Sequence, residues 1–436
     1  MSHRNGAVLL MSILLLAALL ATSTSAAKSH DHPTQTAADP LAGHWEGTWV
    51  REGDPLTVWI DFTKSDTGYR GTFGSEDLRV ADIPFQGVQV EADSVHWLLV
   101  GDETTTRFSG SVQGNSMSGT FSDVGGSGSF RLERSSQPSA PPYKEEEVRF
   151  QDGDVTLAGT LMMPDGKERH PAILFVHGSG AEGRYASRFL ADRFARAGFA
   201  ALIYDKRGVG ASGGDWKRAT FDDLARDALA GITLLSNDPR IRYDRVGIHG
   251  QSQGGTLAPL IASHVPGLAF VIGSSAGGVT LPEAERFSLR NFVGVSRLHG
   301  ADSLGASRYV DTIVRLAYSG SSWTQADSAA RASTDAFWWL APRIASYDPA
   351  VYWPRVRAPV LLVYGEKDER VPVEESLRRI QAALATGGNK DVTTKVFPGC
   401  DHTFRFAVTD GKFHWPRTPP DYLPTLIHWA REKTKG

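Results

Sequence analysis

Three serines of this chain lie between glycines in the pattern G-x-S-x-G, which presents a nucleophilic hydroxyl on a sharp turn from a strand into a helix. They are Ser212 in GASGG, Ser252 in GQSQG and Ser275 in GSSAG. Because the 436 residues include 45 glycines, chance matches are expected. Only Ser252 has both a predicted strand directly before it, RVGIH, and a predicted helix directly after it, GGTLAPLIASH. The sequence therefore favours Ser252 as the nucleophile.

A serine hydroxyl needs a base, and the base needs a third group that holds it in the correct tautomer. Asp368 in GEKDERV follows the predicted strand PVLLVYG, and His402 in PGCDHTF follows the last predicted strand. Both would lie at the carboxyl edge of a parallel sheet, where such sheets place their sites. Nearby residues are rivals for the roles of acid and base: Glu366, Glu369, Asp401 and His414. His177 and His249 precede the acid and would break the order serine, acid, histidine.

Strands that alternate with helices must position these side chains. From residue 148 onward the segments AILFVHG, FAALIYD, RVGIHG, LAFVIG, PVLLVYG and VTTKVFPG read as strands of a mainly parallel sheet, and AILFVHG reads as a buried one. Periodic apolar residues predict a helix from Tyr185 to Ala197 that ends at Gly198, and Thr220 and Asp223 have the spacing of a capping box. Residues 281–352 are too long for a simple crossover.

The upstream region is organised differently. Residues 40–135 read as short alternating strands separated by glycine, which predicts a small antiparallel β-barrel or sandwich. Its interior is either a ligand cavity or a filled core. Residues 136–147 carry prolines, serines and a charge run, which predicts a linker to a second domain over residues 148–436.

The first 27 residues have the features of a secretory signal peptide. Arg4 precedes an apolar run, and small residues follow up to Ala27. An uncleaved membrane anchor is the alternative, but the run is short for a spanning helix. We therefore expect a secreted or periplasmic protein with no stable membrane span after cleavage.

The composition sets limits on partners. The chain is 41% hydrophobic and 22% charged, which is typical of a folded globular protein, and its length predicts two domains. A net charge of -3 provides no basic field for nucleic acid. Cys400 is the single cysteine, so no internal disulfide can form. These properties favour a small-molecule substrate and no nucleic-acid partner.

Five motifs in order, HGSG, YDKRGVGASGG, GQSQGG, GEKDERVP and PGCDHTF, resemble the α/β-hydrolase superfamily, and specifically its esterase and serine-aminopeptidase-like subgroup. The resemblance covers residues 148–436 and leaves the β module unexplained. It implies a triad of Ser252, Asp368 and His402, with the backbone amides of Ser179 and Gln253 as the oxyanion hole. It also implies a lid over residues 281–352 and a reaction that needs no metal and no organic cofactor.

Two residues of the DKRG motif, Asp205 and Arg207, match a family motif to which we assign structural pairing near the site. Asp205 also enters a rival interpretation, because HGSGAEG fits the dinucleotide-binding pattern G-x-G-x-x-G and Asp205 ends the next strand. An NAD-binding oxidoreductase is therefore a remote alternative. Glu182 opposes it, since its carboxylate would approach the pyrophosphate.

The sequence thus predicts a carboxylesterase that forms an acyl-enzyme on Ser252 and prefers short or medium apolar acyl groups. A serine aminopeptidase or an acyl thioesterase would use the same triad and is the alternative.

Overall fold

The computed structural model describes residues 39–100, 104–136, 140–295, 343–344, 346–408 and 410–435, which form two compact units. The first unit runs to Ala140 and also contains Val408–Pro416, whereas the second contains Pro141–Ala407 and the chain from Arg417. The predicted signal peptide and most of the predicted lid, residues 296–342, lie outside the described residues. Within the described ranges, no helix is long and apolar enough to cross a membrane.

The first unit is one antiparallel sheet of nine strands in the order β4-β3-β2-β1-β9-β8-β7-β6-β5. Its strands are β1 (Gly43–Arg51), β2 (Asp54–Ser65), β3 (Gly68–Ser75), β4 (Val80–Pro84), β5 (Gln86–Glu91), β6 (Ser94–Val100), β7 (Thr105–Gln113), β8 (Ser116–Asp123) and β9 (Gly126–Ser135). The two edge strands, β4 and β5, are separated only by Phe85, whose backbone N–H donates to the Gly71 carbonyl of β3 at 2.7 Å. The sheet must therefore curl until its edges meet, and the unit is a nearly closed barrel rather than a sandwich.

Aromatic rings fill the barrel interior. Trp97 stacks on Phe108 with ring centroids 4.9 Å apart, and Trp49 lies 4.8 Å from Phe108 on centroids. Trp415 of the late segment Val408–Pro416 belongs to the same hydrophobic core, and its backbone N–H donates to Asp54 Oδ2 at 2.7 Å. This packing favours the filled-core interpretation of the β module over a ligand cavity.

The second unit is built on a sheet of eight strands in the order β10-β11-β13-β12-β14-β15-β16-β17. These strands are β10 (Tyr143–Asp152), β11 (Val155–Pro164), β12 (His170–Val176), β13 (Ala200–Tyr204), β14 (Ile241–Gln251), β15 (Phe270–Ser274), β16 (Val360–Gly365) and β17 (Val392–Phe397). The pairs β10–β11 and β11–β13 are antiparallel, and the remaining neighbours are parallel. This order is that of the α/β-hydrolase fold.

One boundary predicted from the sequence is wrong. The linker predicted over residues 136–147 overlaps β10, which begins at Tyr143. The charged run after Tyr143 lies on an edge strand, where charged side chains face solvent and discourage pairing with other chains. The charged residues after Tyr143 therefore belong to the sheet.

The helices follow the expected signals. They are α1 (Tyr185–Arg196), α2 (Phe221–Asn237), α3 (Gln253–His264), α4 (Leu281–Val295), α5 (Val373–Thr386) and α6 (Tyr422–Thr434). The helix predicted from Tyr185 is confirmed as α1, and Gly198 follows it with a φ of 95°. The predicted capping box is present at α2: the Thr220 hydroxyl accepts from the Asp223 amide, and the Asp223 carboxylate accepts from the Thr220 amide.

The parallel strands bring distant segments together at one edge. Because β12, β13, β14, β16 and β17 end at the carboxyl edge of the same sheet, the loops that follow them are neighbours in space. These loops carry HGSG, DKRG, the Ser252 turn, the Asp368 turn and the His402 turn. The candidate site is built from them.

Candidate active site

Ser252 lies on the turn that joins β14 directly to α3, as the sequence predicts. Its backbone has φ 55° and ψ -114°, a conformation that costs a non-glycine residue of order 1–3 kcal/mol and persists only where the surroundings enforce it. The surrounding glycines are sterically required: a Cβ on Gly250 would lie 2.3 Å from the carbonyl carbon of Gly254, and one on Gly254 would lie 2.4 Å from the Val176 oxygen. The backbone has the geometry of a nucleophile elbow.

The side chains of Ser252, His402 and Asp368 form one hydrogen-bonded chain. Ser252 Oγ lies 2.9 Å from His402 Nε2, and His402 Nδ1 lies 2.9 Å from both carboxylate oxygens of Asp368. Asp368 Oδ1 also accepts the backbone N–H groups of Arg370 and Val371, each at 2.8 Å. The Asp368 side chain is fully buried, so backbone donors and the imidazole together fix its orientation.

The other two G-x-S-x-G serines make structural contacts. Ser212 Oγ donates to the Asp205 carbonyl and accepts the Ala158 N–H, which ties the DKRG loop to β11. Ser275 is buried at the end of β15, and its Oγ donates to the His402 carbonyl at 2.8 Å. Ser275 thus holds the loop that carries the imidazole.

The rival acids and bases also have other partners. Glu366 Oε2 accepts the Gly399 N–H, and Asp401 Oδ1 accepts the Thr403 and Arg405 N–H groups of its own turn. Glu369 Oε2 lies 3.3 Å from the His402 backbone nitrogen, so it supports the turn and not the ring. The other histidine candidates for the base, His177, His249 and His414, contact different partners.

Those imidazoles have short contacts of their own. His414 Nε2 lies 2.9 Å from Asp410 Oδ2 within the first unit, and His249 Nε2 lies 2.9 Å from Ser274 Oγ. His177 donates from Nε2 to the Tyr204 carbonyl at 2.7 Å. Burial lowers the pKa of His177 to about 3, and the nearby Lys206 adds to the effect. A ring that stays neutral and hydrogen-bonded to the backbone is a structural element of the loop after β12.

The two amides expected to form the oxyanion hole lie on elements that touch. Gln253 is the first residue of α3, where the backbone N–H groups have no acceptor within the helix and the helix dipole favours negative charge. Ser179 lies in the loop after β12. Gly254 packs against the start of this loop, since a Cβ there would lie 2.7 Å from the His177 oxygen. The helix N-terminus and the loop therefore meet next to Ser252.

A buried lysine between these elements was not among the residues singled out from the sequence. Lys206 is 2% exposed, and its Nζ lies 2.6 Å from the Gly178 oxygen and 2.8 Å from the Gly180 oxygen. It also lies 3.2 Å from Gln253 Oε1. Its place directly after a buried strand, inside DKRG at the carboxyl edge, is the signal that could have identified it.

Asp205 and Arg207, for which the sequence predicts structural pairing near the site, both form ion pairs. They do so with different partners and not with each other. The Asp205 carboxylate accepts hydrogen bonds from the backbone N–H and the guanidinium of Arg184, and also from the Ala211 N–H. Arg207 makes two 2.7 Å bonds to the buried Asp227. The Asp205 carboxylate that the dinucleotide interpretation assigns to a ribose is occupied by these contacts.

Glu182 makes a contact inside the glycine-rich loop that follows β12, because its Oε2 accepts the Gly178 N–H at 2.6 Å. Burial raises the pKa of Glu182, and the Lys206 ammonium opposes that rise. Across the described residues, no group of three or more His, Cys, Asp or Glu side chains is arranged to hold a metal ion.

The strand order and the elbow at Ser252 define an α/β hydrolase. A family model described as serine aminopeptidase, S33, matches residues 167–406, more than half of the chain. The chain belongs to this family, and at the family level it is a serine hydrolase.

The chain is also similar to individual proteins. The chain is 24% identical over 309 residues to esterase EstD of Thermotoga maritima, covering 67% of this chain and 68% of that protein. It is 24% identical over 271 residues to the uncharacterized peptidase YuxL of Bacillus subtilis, covering 59% of this chain but only 35% of that relative's length. The solved structure of Pyrococcus furiosus esterase Pf2001 covers 68% of this chain and is itself covered to 96%, with a TM-score of 0.45 and 16% identity.

Proposed function

We propose that this protein is a carboxylesterase that cleaves small-molecule esters through an acyl-enzyme on Ser252. The observation that carries the proposal is the continuous hydrogen-bonded chain from Ser252 through His402 to the buried Asp368, with the serine held in a strained elbow. A serine hydroxyl at hydrogen-bond distance from an imidazole that is oriented by a carboxylate is the arrangement that activates oxygen nucleophiles.

In the proposed reaction, His402 Nε2 takes the proton of Ser252 Oγ as the oxygen attacks the ester carbonyl. The carbonyl oxygen becomes an oxyanion that accepts the backbone N–H groups of Ser179 and Gln253. His402 then gives its proton to the leaving alcohol, and an acyl group stays on Ser252. Water, deprotonated by His402, attacks the acyl carbonyl and releases the acid, which restores the serine. The proposed steps use only side chains and amides of this chain.

An ester is the favoured substrate for a chemical reason. An alcohol leaves with less help from the acid than an amine does, so a triad with an oxyanion hole suffices. A serine aminopeptidase is the second candidate, because the family model and the YuxL relative both carry peptidase names. An acyl thioesterase would use the same nucleophile and is the third. The EstD relative supports the first.

The test combines a fluorophosphonate probe with three substrates. Nitrophenyl butyrate, an acyl-CoA and an aminoacyl nitroanilide report ester, thioester and peptide-like cleavage, and we expect kcat/KM to be highest for the ester. Ser252→Ala should abolish labelling and hydrolysis, since loss of a triad nucleophile costs on the order of a millionfold in kcat. Ser212→Ala is the matched control, because it alters a buried hydroxyl in the same fold and should keep both.

Labelling that persists in folded Ser252→Ala would refute the nucleophile. A clear preference for the anilide would make the protein a peptidase.

We also propose that the mature protein is secreted or periplasmic, on the basis of the amino-terminal sequence alone. Fractionation of a bacterial host that expresses the full chain, with mass spectrometry of the amino terminus, tests this proposal. Cytoplasmic protein with an intact first residue would contradict it.

A further inference from the structure

A buried ammonium lies behind the proposed oxyanion hole, and the proposed reaction does not use it. Lys206 follows β13 by two residues and is 2% exposed, although a buried lysine is costly unless its charge is hydrogen-bonded. Its three N–H donors match three acceptors: the carbonyls of Gly178 and Gly180, and the side-chain oxygen of Gln253. All three lie on or next to the residues that supply the oxyanion donors.

The contact between Lys206 and the Gly178 carbonyl affects the peptide unit that carries the Ser179 N–H. The carbonyl of Gly178 and the N–H of Ser179 belong to the same planar trans peptide, so they point in opposite directions. An ammonium 2.6 Å from the Gly178 oxygen therefore fixes the direction of the Ser179 N–H. It also polarises the peptide, which strengthens that N–H as a donor.

The neighbouring contacts hold the rest of the loop. Lys206 binds the Gly180 carbonyl on the far side of Ser179, and Glu182 accepts the Gly178 N–H at 2.6 Å. The loop is thus held on both sides of the donor. The bond to Gln253 Oε1 connects the same ammonium to the residue that supplies the second donor.

We propose that Lys206 is a positioning residue that ties the two halves of the oxyanion hole together and aligns the Ser179 N–H with the developing oxyanion. The inference rests on the proposed function, because it assumes that Ser179 and Gln253 receive the oxyanion. Preorganised donors stabilise the transition state more than the ground state, so the effect of Lys206 should appear in kcat and not in KM.

The charge on Lys206 suits this role at neutral pH. Burial lowers the pKa of Lys206 to about 8, while the carboxylates of Glu182 and Asp227 oppose that shift. Of the other groups that face it, His177 is neutral at this pH, and the Trp216 ring lies 5.7 Å from Nζ. The ammonium, with all three donors, is therefore the predominant form of the side chain at neutral pH.

The decisive variant is Lys206→Met, which keeps an unbranched side chain only one atom shorter and removes its donors. Active sites are counted by exhaustive labelling with a fluorophosphonate, and kcat per labelled site is measured with nitrophenyl butyrate. We expect kcat per site to fall about 10- to 100-fold, somewhat less than the loss of an oxyanion donor itself, with KM changed less than about threefold. Binding of a trifluoromethyl ketone, whose adduct carries the oxyanion, should weaken by the same factor as kcat.

Two further variants separate positioning from folding. Lys206→Arg should not restore kcat, because a planar guanidinium cannot direct three donors at the same three acceptors. Arg207→Lys alters the next buried cation, whose contacts run to Asp227 and Asp152, and should keep kcat per site even if it melts earlier. If Lys206→Met does not fold, Lys206→Gln, which is neutral, one atom shorter and unable to serve all three acceptors, carries the same test.

A kcat per site within about threefold of the wild type in Lys206→Met, with unchanged ketone binding, would overturn the inference. Failure of the proposed function has a different signature, since folded Ser252→Ala would then retain labelling or the wild type would cleave none of the substrates.

Discussion

The Asp368→Asn substitution provides a direct test of how the site holds its imidazole. Asp368 Oδ1 accepts the backbone N–H groups of Arg370 and Val371, both at 2.8 Å, in addition to facing His402 Nδ1. An asparagine at this position must place its oxygen on those two donors, because its NH2 group would leave them unpaired at about 1–3 kcal/mol each. The NH2 group then occupies the position of Oδ2, which also lies 2.9 Å from His402 Nδ1.

This orientation reverses the hydrogen bond to the ring. An NH2 group can only donate, so His402 Nδ1 must become the acceptor and the ring proton must move to Nε2. Nε2–H cannot take the proton of Ser252 Oγ, 2.9 Å away. An equivalent change in a serine protease lowers kcat by about 10⁴, and we expect a loss of this order here at neutral pH with the fold intact.

The assay is kcat for nitrophenyl butyrate near pH 7.5, with melting temperature as the measure of folding. Glu366→Gln is the matched control, because Glu366 is an exposed carboxylate on the same loop whose contact with the Gly399 N–H a glutamine oxygen can also make. It should keep kcat within about threefold. Asp368→Asn that keeps more than a tenth of the wild-type kcat would refute the reasoning about the tautomer.

Three further predictions follow from the described residues. Gly254→Ala should reduce both stability and kcat, because its Cβ would lie 2.4 Å from the Val176 oxygen, whereas Gly267→Ala has open space and should be neutral; equal melting temperatures and rates would contradict this. The folded-state pKa of His177, about 3, is below its usual 6.5, so stability is lost as the pH falls below 6.5. The loss reaches about 2 kcal/mol at pH 5, and His177→Gln should remove it in urea titrations; parallel losses in both proteins would show that another group is responsible. A chain that starts at Pro141 should fold and cleave small esters but bind an apolar dye, because Phe413 and Trp415 lose the barrel core that buries them. A well-folded truncated protein that cleaves no ester would show that the first unit completes the site.

The sequence predicted the edge of the sheet that carries the candidate site because its signals are local. Ser252 and Asp368 each follow a buried stretch of strand within three residues, whereas His402 follows β17, most of whose residues are not buried. The strand before Ser252 and the helix after it separated this serine from Ser212 and Ser275 without any knowledge of the fold. In the structure, Asp368 follows β16 and His402 follows β17, so both lie at the carboxyl edge of the sheet.

What the sequence did not reveal depends on contacts between distant segments. The edge strands β4 and β5 are only five and six residues long, too short for their alternation to stand out, and β10 carries a run of charged residues. Lys206 resembles any charged loop residue until its acceptors, which come from the loop after β12 and from α3, are known. The membership of Val408–Pro416 in the first unit has no local signal, because it depends on Trp415 reaching Asp54.

The distance between Ser252 and His402, 150 positions apart in the chain, is set by a series of bonds across neighbouring strands. The Ser252 N–H donates to the Ser274 carbonyl at the end of β15, and the next residue, Ser275, donates its own N–H to Val363 of β16. Ser275 Oγ then donates to the His402 carbonyl, which brings the loop after β17 into the same series. Ser252 and Ser275 both have positive φ, so each neighbouring strand ends in a strained turn that the next strand holds in place. The hydrogen bonds across these strand ends therefore fix the position of the proposed nucleophile relative to the proposed base.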